Sequence, residues 1–99
     1  MNKENSGNNW EVNFVNFING LGLECLVALG KLENPITKKK ETDLLQARYV
    51  IDTIDMLREK TKGNLTEDEQ KLLDEMVVYL KMLFVEAKQE EKKSQDDRS

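Results

Sequence analysis

Residues 60–69, Lys-Thr-Lys-Gly-Asn-Leu-Thr-Glu-Asp-Glu, decide the fold, because one helix ends and another begins within them. Gly63 suits the left-handed conformation just after a helix end. Thr66 and Glu69 have the spacing of a capping box, in which each side chain binds the other's free backbone N–H. The two acidic residues between them lie where the helix dipole favours negative charge. The stretch therefore predicts a tight antiparallel hairpin of two helices.

Apolar residues recur at helical spacing on both sides of this turn and again near the start of the chain. They predict helices over residues 10–29, over 42–62 with Thr42 as the cap, and over 67–87. No alternating pattern is long enough for a strand, so the predicted fold class is all-α. The predicted core stripes are Trp10, Phe14, Phe17, Leu21, Cys25, Ala28 and Leu32; Leu44, Ala47, Val50, Ile51, Ile54 and Leu57; and Leu72, Leu73, Met76, Leu80, Leu83, Phe84 and Ala87.

The chain of 99 residues divides by composition into one domain and two polar ends. Residues 1–9 are rich in Asn and predict a disordered N-terminal arm. Residues 10–88 carry the apolar stripes and form the predicted helical domain. Residues 89–99 have no apolar side chain and predict a charged, disordered tail.

The composition excludes several classes of function. Nineteen acidic against fifteen basic residues give a net charge of −4, which opposes binding to nucleic-acid phosphates. With no histidine and one cysteine, a zinc site and an intramolecular disulfide are excluded, and no cofactor site is predicted. Cys25 lies on an apolar stripe and is expected to behave as a small buried hydrophobe.

The distribution of apolar residues also bears on location. No apolar run, such as residues 26–29, is longer than five residues, which is far too short to span a membrane. The first nine residues have no apolar segment of the kind found in secretory signals. We therefore expect a cytoplasmic protein without a membrane span.

Carboxylates are the residues in this chain most able to support chemistry. Arg48 and Asp52, and Asp55 and Arg58, have the spacing of ion pairs on one face of the second helix. The two aspartates could instead form a partly buried network with another helix. An alternative function is a divalent-metal site or carboxylate enzyme centred on Asp52 and Asp55, with Glu59 nearby. The neighbouring arginines oppose a bound cation.

Three aromatic residues at helical spacing open the predicted domain: Trp10, Phe14 and Phe17. Such residues usually lie in a core. The alternative is a peripheral membrane anchor, which the adjacent Glu11 and Glu24 disfavour because anionic lipid would repel them.

Two predicted helices carry apolar residues opposite their core stripes. A helix in a monomeric bundle needs an apolar arc of only about 100°, and exposed apolar patches usually mark association surfaces. The pattern therefore predicts a homo-oligomer. The residues of this predicted association surface are Val78, Met82 and Val85 on the third helix and Val12, Val15, Leu23 and Leu26 near the first.

The chain also resembles the bacterial domain-of-unknown-function 1844 family over about residues 14–85. The most specific part of the resemblance is Lys60-Thr61-Lys62-Gly63-Asn64-Leu65-Thr66. The resemblance implies a short, helical, bacterial cytoplasmic protein, and it implies no activity or functional residue. Other matching residues are Phe14, Phe17, Ala28-Leu29-Gly30, Asn34-Pro35, Asp43-Leu44, Ala47, Ile51-Asp52, Leu57 and Leu72-Leu73.

The sequence taken together favours a non-enzymatic small helical interaction or assembly module that acts through apolar helix faces. This mode of binding corresponds to recognition of a helix in a groove. The metal or carboxylate enzyme and the peripheral membrane protein remain the alternatives. The sequence predicts a second copy as the partner and names no other.

Overall fold

The computed structural model describes the backbone of residues 11–98 and the side chains up to Lys93. It contains three helices: α1 (Phe14–Ala28), α2 (Leu44–Lys60) and α3 (Glu67–Arg98). Within these residues there is no strand, so the predicted all-α class is confirmed. None of the described helices is both long and apolar enough to cross a membrane. The predicted N-terminal arm lies outside the described residues.

Helix α1 begins later than the apolar pattern predicts. Asn13 is its N-cap, and the Asn13 side chain accepts a hydrogen bond from the Asn16 N–H at 2.8 Å. An Asn side chain satisfies a free N–H of the first turn and so fixes the helix start. The predicted start at Trp10 is therefore wrong, because Phe14 is the first helical residue.

The connection from α1 to α2 is folded back on the helix ends. Leu29 and Thr42 form an isolated antiparallel bridge, and the Asp43 N–H binds the Ala28 carbonyl at 2.7 Å. Gly30 has a φ of 77°, and a Cβ there would lie 2.6 Å from Thr42 Oγ1. Glycine is therefore required at position 30 for conformation and for space. Asp43 caps α2, not Thr42 as predicted, because its carboxylate accepts from an N–H three residues on.

The turn from α2 to α3 has the geometry that its sequence predicts. Gly63 has a φ of 86°, in the left-handed region. The Thr66 N–H binds Glu69 Oε1 at 2.9 Å and the Glu69 N–H binds Thr66 Oγ1 at 3.1 Å, which confirms the capping box. Helix α2 ends at Lys60, two residues before the predicted end.

All three helices contribute one stripe to a single core. On α1 Cys25 and Ala28 are buried as predicted, but in the first half of the helix Ile18 is fully buried whereas the predicted Phe17 is 56% exposed. Leu32, also predicted as core, is exposed in the connection. The buried apolar residues are Ile18, Cys25, Ala28, Leu29, Ala47, Val50, Ile51, Ile54, Leu73, Val77, Leu80, Leu83 and Ala87.

Helix α3 continues to Arg98, so the predicted end near Ala87 is wrong. The backbone of residues 89–98 is helical where the sequence predicted a disordered tail. This segment contains no Gly or Pro, and its Lys, Glu and Gln residues are good helix formers. The described side chains of residues 88–93 are all exposed, as expected from the lack of apolar residues there.

Candidate functional site

The predicted association residues of α3 form a band on the side of the helix that faces solvent. Val78 is 68% exposed, and Met82 and Val85 are each about half exposed. Tyr79, which sequence reasoning missed, is also half exposed and lies beside them. Its position next to Val78 and three residues before Met82 could have indicated it. Val78, Tyr79, Met82 and Val85 are called the α3 outer face below.

An apolar groove runs between α1 and α3 beside this face. Its volume is about 400 Å³. A second depression of about 400 Å³ lies on the α3 outer face and is lined by Val78, Met82 and two acidic residues. Tyr79 lines both, so the groove and the face form one continuous surface. The groove residues are Asn19, Gly22, Leu23, Leu26, Met76, Tyr79 and Leu80.

Gly22 lets α1 and the Met76 side chain of α3 approach each other in the groove. A Cβ at position 22 would lie 3.3 Å from both Met76 Sδ and Met76 Cε, which is closer than ordinary van der Waals contact. The absence of a side chain at Gly22 thus allows Met76 to pack closely against α1. Gly20 has open space where its Cβ would be.

The predicted association residues near α1 divide into two groups. Leu23 is 56% exposed and lines the groove, and Leu26 lines it too while packing partly against the core. Val12 and Val15 are exposed, but they do not line the groove. The structure thus brings two of the four residues next to α3.

Helix α2 also carries exposed apolar residues, which sequence reasoning missed. Leu45, Tyr49 and Met56 are exposed at spacings of four and seven, the signal by which they could have been found. The Arg48–Asp52 ion pair, with a distance of 3.3 Å, lies among them on the same helix. None of these three apolar side chains lines the groove between α1 and α3.

The other candidate site, the carboxylates of α2, is built around Asp55. Arg58 Nη2 lies 2.7 Å from Asp55 Oδ1, and Lys81 Nζ of α3 lies 3.1 Å from Asp55 Oδ2. The hydrogen bond from Lys81, together with the charges of Lys81 and Arg58, holds the pKa of Asp55 below its usual value, although partial burial opposes this. Asp55 is therefore ionised and pairs with the basic side chains of Arg58 and Lys81.

The arrangement of Asp52 and Asp55 matches the predicted ion pairs. Asp52 pairs with Arg48 on an exposed surface, and Asp55 links α2 to α3. Within the described residues no group of three or more His, Cys, Asp or Glu side chains could hold a metal ion. The aspartates of α2 thus act chemically as partners of basic side chains.

A polar depression of about 340 Å³ lies where α1, the connection and α2 meet. Two of its three carboxylates have partners inside the chain: Glu24 Oε2 accepts from Gln46 Nε2 at 2.7 Å, and Asp43 caps α2. Nearby, Cys25 is buried, and its burial raises the pKa of the thiol to about 11, with a further contribution from the Glu24 carboxylate. The thiol is thus protonated and enclosed.

Of the aromatic residues considered as a membrane anchor, the two that the structure describes differ in exposure. Phe14 is partly buried and packs against the core, whereas Phe17 is mostly exposed. Trp10 lies outside the described residues.

The family model named "Domain of unknown function (DUF1844)" matches residues 11–86. This match covers most of the chain, all of α1 and α2, and α3 as far as its last buried turn. No curated protein and no solved structure matches the chain. Because the matched range covers most of the chain and includes the Lys60–Thr66 turn, the chain belongs to the DUF1844 family of uncharacterised domains.

Proposed function

We propose that this chain is a non-enzymatic association module in which the α3 outer face and the groove between α1 and α3 bind a second copy of the same chain. The observation that carries the proposal is the continuity of this apolar surface. Four exposed side chains of the face adjoin a groove lined mainly by apolar side chains. Exposed patches of this kind usually mark sites of protein association.

A comparison of free energies indicates that the α3 outer face needs the contribution of the groove to hold two copies together. Burying a whole Val or Met side chain contributes about 1.5–3 kcal/mol, so a half-exposed one has about 1 kcal/mol left to gain. Four such residues from each of two copies contribute about 8 kcal/mol in total. Association costs about 4–15 kcal/mol. The face alone is therefore comparable with the cost, and burial of Leu23 and Leu26 in the groove supplies the excess.

The surface is held in place by α2, which packs behind α3. Asp55 pairs with Lys81, and Arg58 pairs with Asp74 at 3.5 Å. Positions further along α2 thus meet positions earlier on α3, which supports an antiparallel hairpin of these two helices. The hairpin gives the α3 outer face a rigid support, as a binding surface needs.

A non-enzymatic role is supported by the state of the polar side chains. A general base needs a free carboxylate in a pocket with a raised pKa, whereas the pKa of Asp55 is lowered by Lys81 and Arg58. Cys25 is buried and protonated, which is unsuitable for a nucleophile. We also propose a location in the bacterial cytoplasm, which the family resemblance implies.

The proposal is tested by replacing Met82 with Glu and, as a matched control, Met56 with Glu. Met82 is 50% exposed on α3 and Met56 is 47% exposed on α2, so both changes add one charge at a similar depth. We expect Met82→Glu to lower the oligomer mass because an interface would have to desolvate the new carboxylate. Met56→Glu should leave the mass unchanged. Light scattering measures mass and circular dichroism measures helix content.

A parent protein that is monomeric at high micromolar concentration contradicts the proposal. So does a Met56→Glu variant that dissociates while Met82→Glu does not, because the interface would then lie on α2. If Met82→Glu loses helix content, the conservative Met82→Gln variant, which adds no charge, separates unfolding from dissociation.

A further inference from the structure

Charged residues continue the α3 outer face toward both ends of the helix. At 100° per residue, each lies within about 40° of the direction of Met82, and each is exposed. They are Asp68, Lys71 and Glu75 before the apolar residues and Glu86 and Lys93 after them. Their order determines which orientation of a second α3 helix the face accepts.

A parallel pairing of two copies would place each residue of the stripe next to its own counterpart. Every charged position would then meet a like charge, from Asp68 against Asp68 to Lys93 against Lys93. Like charges at such distances are destabilising. The two helix dipoles would also point the same way. The charges of the stripe therefore oppose a parallel pair.

An antiparallel pairing centred on the apolar residues gives a different set of contacts. With the centre near residue 81, Asp68 lies 13 residues before it and Lys93 lies 12 residues after it, so both are about 18–20 Å from the centre. Asp68 of one copy thus meets Lys93 of the other. Lys71 meets the region of Gln89 and Glu90 in the same way.

We propose, on the basis of the function proposed above, that two copies of this chain pair through antiparallel α3 helices, with Asp68 of each copy beside Lys93 of the other. The two-fold axis passes near Met82. One kind of like-charged contact remains and is made twice by the two-fold symmetry, because Glu75 and Glu86 lie six residues before and five residues after the centre. This contact weakens the dimer and offers a direct test of the geometry.

The first test is crosslinking through Glu75→Cys and Glu86→Cys with a short bismaleimide. We expect an equilibrated mixture of the two variants to give a 75–86 crosslinked dimer. Either variant alone should give none, because two equivalent positions would lie about 16 Å apart along the helices. The parent is the control, since its Cys25 is fully buried and should not react. The antiparallel pairing would be overturned if each variant alone gave a crosslinked dimer and the mixture gave no crosslink between positions 75 and 86.

The second test exchanges charges and measures the dissociation constant by sedimentation. Glu86→Lys should strengthen the dimer about tenfold by replacing two repulsive contacts with attractive ones. Asp68→Lys should weaken it, and Asp68→Lys combined with Lys93→Glu should restore it. If the double variant is as weak as the single one, the orientation is wrong. A parent that dimerises but gives this result refutes only the orientation, whereas a monomeric parent refutes the proposed function as well.

Discussion

Gly20 and Gly22 lie two residues apart on α1, but their surroundings differ. A side chain at position 20 would enter open space, whereas one at position 22 would press on the thioether of Met76. Glycine inside a helix costs about 0.5–1 kcal/mol relative to alanine. The cost at Gly22 is offset by close packing of Met76, while nothing in the structure explains Gly20.

We expect Gly20→Ala to raise the free energy of unfolding by about 0.5–1 kcal/mol, since alanine favours the helix and meets no neighbour. Gly22→Ala should raise the free energy of unfolding by less, because Met76 must move by a few tenths of an ångström to make room for the new methyl group. Urea denaturation of the two variants measures the difference. Equal stabilisation by both would show that Met76 moves freely and that Gly22 has no packing role.

Single residues also show what sequence periodicity can and cannot predict. The capping box of Thr66 and Glu69 was predictable because it depends on neighbours in sequence alone. The burial of Ile18 in place of Phe17 was not, because it depends on how α1 is rotated against the other helices. A shift of one residue corresponds to 100°, which is enough to exchange a buried side chain for an exposed one.

At the scale of the helices, Asp55 is the clearest link between α2 and α3. Its carboxylate binds Arg58 on its own helix and Lys81 on the next. Since the folded-state pKa of Asp55 is lowered, its ionised form favours folding. That contribution is fully present above the unfolded pKa of about 3.9 and is lost as the pH falls through the lower folded value.

We expect Asp55→Asn to lower the unfolding free energy at pH 7 by about 1 kcal/mol, as measured for partly exposed ion pairs. The difference between parent and variant should shrink as the pH falls below about 4. Asp52→Asn serves as the control and should have an effect below about 0.5 kcal/mol, because its pair with Arg48 is mostly exposed. Denaturation from pH 7 to pH 2 measures both. A difference that does not depend on pH would contradict this role of Asp55.

Some ends of the helices can be predicted from the sequence, and others cannot. Glu67 starts α3 as predicted because the capping box precedes it. Apolar spacing could not predict the continuation to Arg98, because such spacing reports burial and not backbone conformation. The association residues of α3 were found by the same spacing, but their union with Leu23 in one groove required the packing of α1 against α3.

At the scale of the whole molecule, the part of the chain that the structure describes is long and thin, with extents of 57 × 32 × 15 Å. Its radius of gyration is 15.9 Å, against about 13 Å for a compact domain of 100 residues. The difference reflects α3, whose 32 residues span about 48 Å. Such a shape leaves a large surface relative to the core, and association with a second copy would reduce it.

If two copies associate, the melting temperature of the parent should rise with protein concentration, because mass action stabilises the bound state. The same series with Met82→Glu should show a smaller dependence. Differential scanning calorimetry from low to high micromolar concentration measures both curves. A melting temperature that is independent of concentration in the parent would contradict the association.

The buried thiol of Cys25 can report how often the core of the protein opens. Because the side chain has no exposed surface and its pKa is raised to about 11, a thiol reagent can label it only in molecules whose core has opened. In the limit of fast reclosing, the labelling rate divided by that of an unfolded peptide gives the population of open molecules. This single native atom thus reports the energy of opening at the centre of the bundle, without any engineered label.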